Sequence, residues 1–173
     1  MAGLETEIKF FHRLKDPRDA GVNIGWFADQ HYSPRKRGDT GESIAKVARW
    51  NEFGTRAGVP SRPFLRTTIV EKERMWHELL KTLIQRAIDD GKPFTPALKL
   101  FGEQVKKDIQ ETILSGGWKP NATITQEGGW MRNKVSGKPF YVIGKGTGKT
   151  PLIDTGTMLK SIDVRTDEEM DNV

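Results

Sequence analysis

The stretch "FLRTTIVEKERMWHELLKTLIQRAIDDGKPFTPALKLFGEQVKKDIQETI", residues 64–113, decides the fold. In its first half Leu65, Ile69, Trp76, Leu80, Leu83 and Ala87 recur at helical spacing, and Met75, Leu79, Ile84 and Ile88 broaden the stripe. The pattern predicts a long helix over 64–89, stopped by Gly91 and Pro93. Thr95 then reads as the N-cap of a second helix, with Pro96 at its first position, where the missing N–H costs nothing. Leu98, Phe101, Val105, Ile109 and Ile113 line its apolar side, and Gly116 and Gly117 end it. A break this short predicts that the two helices pack as an antiparallel or angled pair.

Working upstream, the connector "TRAGVPSRPFLR" holds two prolines that resist both helix and sheet, so it reads as a stiff elbow. Phe53 and Phe64 are expected to bury on either side of it, and Arg62 and Arg66 to reach helix C-terminal carbonyls or Glu52. Before the elbow, "IAKVARWNEFG" predicts a helix capped by Ser43 and terminated at Gly54 by a left-handed residue. "QHYSPRKRGDTGES" is a polar loop. In "VNIGWF", Val22, Ile24 and Trp26 alternate as a strand buried on one face would. Leu4, Ile8, Phe10 and Phe11 stand at helical spacing before Pro17.

Working downstream, the texture changes between Gly116 and Thr150, where eight residues are glycine and Lys and Arg recur. Trp118, Trp130, Phe140 and Tyr141 also lie in this arm. Aromatics in such a segment either fold back on their own core or dock on another chain. "KPFYVIGK" reads as a strand or as one arm of a hairpin. Asp154 or Thr155 can cap a short helix carrying Met158, Leu159 and Ile162, "SIDVRT" alternates as a strand, and residues 166–173 read as a frayed acidic tail. The expectation is a single α+β domain over 1–173. A small antiparallel sheet from "VNIGWF", part of "KPFYVIG" and "SIDVRT" would pack on the two long helices, with 116–150 as an extended arm or hairpin.

Composition narrows the chemistry. The chain has 173 residues, net charge +5 and no cysteine, which excludes disulfides, thiolate zinc sites and cysteine nucleophiles. No apolar run reaches the roughly 18 to 20 residues that a membrane span needs. The first residues are too acidic for a secretory signal. Gly148-Lys149-Thr150 imitates the end of a phosphate-binding loop, but the required glycine at 143 is Ile143, and Pro151 breaks the helix that should follow. His12, His31 and His77 share no ligand spacing, and no G-x-S-x-G elbow is present. The expectation is no enzyme, no metal and no cofactor. The basic run Arg35, Lys36 and Arg37, with the lysines of the arm, leaves a second reading open, a small basic nucleic-acid-binding module.

"VARWNEFGTRAGVPSRPFLRTTI" followed by "TPLIDTGTMLKSI" resembles the minor neck and tail-completion proteins of tailed bacteriophages. In that family a helix ends in Asn-Glu-Phe-Gly-Thr, a Pro-x-Arg-Pro-Phe-Leu corner follows, then a long helix pair, and Pro-Leu-Ile-Asp-Thr-Gly precedes a terminal helix and strand. The likeness covers roughly residues 20–165. It implies a virion structural protein at the head–tail junction, assembled in the host cytoplasm. Such proteins act as terminators or joining proteins in rings, commonly hexamers. The implied partners are further copies of itself, the tail tube protein and a head-side connector or collar, with DNA passing through the lumen unread and no membrane. It implies architectural roles for Asn51, Glu52, Phe53, Gly54, Thr55, Pro60, Arg62, Pro63, Phe64, Leu65, Asp154, Thr155 and Gly156. Trp118, Trp130, Phe140, Tyr141, Arg35, Lys36 and Arg37 are the candidate subunit contacts.

Overall fold

The computed structural model describes residues 21–34, 41–56, 58–133, 136–144, 151–153 and 155–170. The expected helix before Pro17, the basic run 35–37, the Gly-Lys-Thr at 148–150 and Asp154 lie outside the described residues. Strand β1 (Val22–Gly25) leads to helix α1 (Ile44–Phe53), then the long helices α2 (Phe64–Asp89) and α3 (Thr95–Leu114). A short helix α4 (Thr123–Glu127) precedes strands β2 (Gly128–Arg132) and β3 (Pro139–Ile143). Helix α5 (Thr157–Lys160), strand β4 (Asp163–Thr166) and the single turn α6 (Asp167–Met170) complete the order. The fold is α+β.

The helical stripes do what their spacing predicts. Leu98, Phe101, Val105, Ile109 and Ile113 of α3 are all buried, and Phe64, Leu65, Trp76, Leu80 and Ala87 of α2 face them. Met75 and Ile88 fall at the edge of the α2 stripe and stay exposed. The five-residue break folds α3 back along α2, so that Trp76 near the middle of one helix donates its indole N–H to Asp108 of the other at 2.6 Å. The α3 cap sits one residue earlier than expected, on Phe94, and Pro96 occupies the first turn.

β1 and β4 pair antiparallel, Val22 with Thr166 and Ile24 with Val164, and these two pairs form the face that lies on α3. The approach is close enough that a β-carbon at Gly102 would collide with Val164 Cγ1. A bare helix backbone is therefore what lets the two-stranded sheet seat against α3. Trp26, just past β1, meets Phe64 edge to face at 5.9 Å and donates to the Met158 carbonyl at 2.7 Å, which ties β1, α2 and α5 together.

One expectation is corrected. "KPFYVIG" does not join β1 and β4. It forms β3, which pairs with β2 in a separate hairpin, Trp130 opposite Tyr141 and Met131 opposite Phe140. Loop closure explains the choice, because β2 ends only a few residues before β3, whereas β1 is more than a hundred residues away. The tail also differs. Residues 167–170 form a helical turn rather than fraying, because the Glu169 carboxylate accepts from Thr166 N at 2.9 Å and from Lys99 Nζ at 2.6 Å.

At the outer end of the sheet Arg165 lies 4.1 Å over the Phe27 ring and forks onto both Asp29 oxygens at 2.9 and 2.8 Å. The Arg165 guanidinium holds the Asp29 carboxyl below its ordinary value of 3.8. A carboxyl lowered in the folded state contributes stability above its unfolded value, and that contribution is lost as pH falls through the folded one. Asp29 is half exposed, so water limits the gain to about 1 kcal/mol or less. Thermal melts of wild type and Asp29→Asn should therefore differ slightly at neutral pH and converge in acid. A gap that widens in acid would contradict the fork.

Candidate functional site: a wired corner and an exposed hairpin

The corner between α1 and α2 starts from a problem of helix ends. Helix α2 begins after Pro63, which offers no side-chain cap, so its first N–H groups need acceptors from elsewhere. Glu52, near the end of α1 and only 1 % exposed, supplies them. Its carboxylate accepts from Leu65 N at 2.9 Å, from Arg66 N at 3.3 Å and from Arg66 Nε at 2.8 Å. A negative charge at the positive end of α2 is stabilising on its own account. The Glu52 carbonyl is held as well, by Ser61 Oγ at 2.8 Å and Arg66 Nη2 at 3.0 Å.

The other motif residues shape the elbow around that carboxylate. Gly54 has φ +75°, and a β-carbon there would press on Ser61 N and Val59 O at 2.9 Å, so glycine is required. Thr55 closes the small loop by accepting from Val59 N on its hydroxyl at 3.2 Å and donating its own N–H to Val59 O at 2.9 Å. Pro60 and Pro63 bracket Ser61 and Arg62, and Arg62 N donates to Asn51 O at 2.7 Å. Phe64 is fully buried. Phe53 is not, contrary to expectation: it is 55 % exposed, with the Arg66 guanidinium 4.9 Å over its ring.

Arg62 is 2 % exposed and reaches furthest. Its guanidinium donates to Asn51 Oδ1 at 2.9 Å, to Lys119 O at 2.8 Å and to Asn121 Oδ1 at 2.9 Å. All three acceptors are neutral oxygens, and burial pushes the guanidinium down from its ordinary value. The corner thus binds the root of the arm, a link the sequence did not betray. Asn121 carries no local pattern, and its partner stands 59 residues away.

The Pro-Leu-Ile-Asp-Thr-Gly element, of which Asp154 lies outside the described residues, meets α1 through the helix it starts. Leu152 takes φ +76°, uncommon for a branched side chain, and packs with Ile153 against the core. Thr155 Oγ1 accepts from Thr157 N at 3.3 Å and Gly156 is left-handed, so this element starts α5, which packs on α1.

Of the four aromatics of the arm, Trp118 turns back on its own core and donates to Ile113 O at 3.2 Å. The other three stand on the hairpin. Trp130 is 72 % exposed and meets Tyr141 edge to face at 5.5 Å. Directly paired residues share a face, so Trp130, Tyr141 and Ile143 lie on one side and Met131 and Phe140 on the other, all exposed. Among the described residues α4 is the element that packs closely on this ribbon, Ile124 approaching Gly129. Among the described residues no group of three or more histidines or carboxylates could hold a metal ion.

No family model matches the sequence, and no curated protein and no solved structure matches it.

Proposed function

We propose that the chain is a structural subunit of a tailed-phage neck that works by assembly rather than turnover. Copies of it would close into a ring that completes the tail tube and joins it to the head connector. The observation that carries the reading is the hairpin. An isolated two-stranded ribbon is marginal in water, and this one, packed only on its ends by a five-residue helix among the described residues, presents large apolar side chains on both faces. Such a ribbon is explained by a neighbour that buries it. The corner supports the same reading, because Glu52 and Arg62 hold α1, α2 and the arm root in one fixed relation, as a building block requires. The order of the corner and Pro-Leu-Ile-Asp-Thr-Gly elements along the chain resembles the neck proteins and supplies the setting.

The test is native mass over a range of concentrations, for wild type and for Trp130→Ala/Tyr141→Ala. Wild type should form a discrete closed oligomer. The double variant should fold with an unchanged melting temperature and associate at least about 30-fold more weakly, the effect of removing a central aromatic anchor. A wild type that stays monomeric even with tail tubes added, or a variant that assembles normally, would overturn the reading.

A further inference from the structure

A closed ring is built head to tail, so each copy must present two unlike patches, one given to the neighbour ahead and one offered to the neighbour behind. The hairpin is the first. The second must lie where the fold leaves other apolar surface unused. Among the described residues Phe53 is the one exposed aromatic ring outside the arm. Val70 is 82 % exposed and stands one helical turn beyond Arg66 on α2, so the two are neighbours on that helix surface. Arg66 in turn lies over the Phe53 ring, and the three side chains form one patch at the corner. Leu100 and Leu114 are also exposed, but Lys107 separates them along the outer side of α3. Arg66 is held in place, its Nε and Nη2 donating to Glu52 Oε1 and O at 2.8 and 3.0 Å, yet its side chain stays 54 % exposed. A planar cation fixed against one ring and open to solvent can take a second ring with little further loss of side-chain freedom.

We infer that the Phe53–Arg66–Val70 patch receives the hairpin of a second copy, with the Trp130 ring stacked on the Arg66 guanidinium and Tyr141 and Ile143 closing over Phe53 and Val70. Tryptophan attracts a cation more strongly than the other rings do, and Trp130 is the most exposed ring of the ribbon. Trp, Tyr and Arg are the residue types that carry most of the affinity of protein interfaces. Within one chain the ribbon packs on α4 and leaves the corner patch uncovered, so the patch is open to the ribbon of another copy. Both halves are prepared in advance, since Glu52 fixes Arg66 and the cross-strand pair fixes Trp130 against Tyr141. The inference rests on the ring proposed above and names what its hairpin grips.

The experiment is complementation between two variants of the full chain. Phe53→Ala/Val70→Glu changes two exposed side chains, so it should move the melting temperature little and weaken association about 30-fold, as Trp130→Ala/Tyr141→Ala does. Native mass is read for each variant alone and for an equimolar mixture, under the condition in which wild type assembles. Each variant alone should stay monomeric. The mixture should give a one-to-one dimer and nothing larger. The sound hairpin of the corner variant meets the sound corner of the hairpin variant, and the two ends that remain are both defective. A corner variant that assembles as wild type does would overturn the inference and leave the ring standing. So would a mixture that does not pair, or one that builds beyond the dimer. A wild type that stays monomeric even with tail tubes added would overturn the ring, and this inference with it.

Discussion

Trp76→Ala is expected to lose about 4 kcal/mol of stability, a large share of what a domain of this size possesses. Two effects combine. The indole is 1 % exposed between α2 and α3, and its removal leaves a void that the two helices can close only by giving up their packing. It also takes the N–H from Asp108, a carboxylate only 2 % exposed, whose other bond from a side chain is that from Gln104 Nε2 at 3.1 Å. Trp76→Phe separates the two, since it keeps most of the volume and should cost about 2 kcal/mol for the orphaned acceptor. Adding Asp108→Leu to Trp76→Phe should recover part of that loss, because both ends of the bond then become apolar. Urea unfolding with an unchanged slope reads all of these. If Trp76→Phe unfolds at the wild-type midpoint, the indole–carboxylate bond contributes nothing.

Glu52→Ala is the second large effect, at about 3 kcal/mol. The substitution uncaps α2, leaves the buried Leu65 N–H without its acceptor and releases Arg66 from its carboxylate. Glu52→Gln keeps the shape and one acceptor but loses the charge at the helix end, and should lie between wild type and alanine. Amide hydrogen exchange tells this local damage from general loosening. Leu65 and Arg66 should exchange much faster in Glu52→Ala, while Val105 and Ile109 in the middle of α3 should change only by the global loss. Uniform acceleration would mean that the carboxylate does not act as a cap.

The helices and the strands at the two ends of the chain were legible because their signal is local. Trp76 to Ala87 and Leu98 to Ile113 repeat at a period that water and a neighbour impose directly, and Val22, Ile24 and Trp26 alternate for the same reason. The pairing of Arg66 with Glu52 was legible too, since the elbow brings an arginine of the first turn of α2 to a carboxylate at the end of α1, but the capping of α2 by that carboxylate was not. Phe53 was misread because hydrophobicity alone placed it inside, while Arg66 offers its ring a cationic lid at the surface. The single sheet was misread because alternation announces strands but not their partners, and the short turn between β2 and β3 decided the pairing. Asp108 could have been noticed, as it falls on the same side of α3 as Val105 and Ile109 and opposite a tryptophan that needs an acceptor. Arg62 reaching Lys119 and Asn121 was beyond any local pattern.

That long reach of Arg62 has a mechanical meaning. The ribbon is a lever about 17 Å long, five residues of strand from root to turn. The root of the arm, separated from the ribbon by α4, is held by the Arg62 guanidinium to the same elbow from which α2 sets out. The same guanidinium holds Asn51 in the last turn of α1, the residue next to the Glu52 charge that holds the start of α2. A load on the arm root is therefore shared between Arg62, which leads to the ends of α1 and α2, and Trp118, which leads to the end of α3.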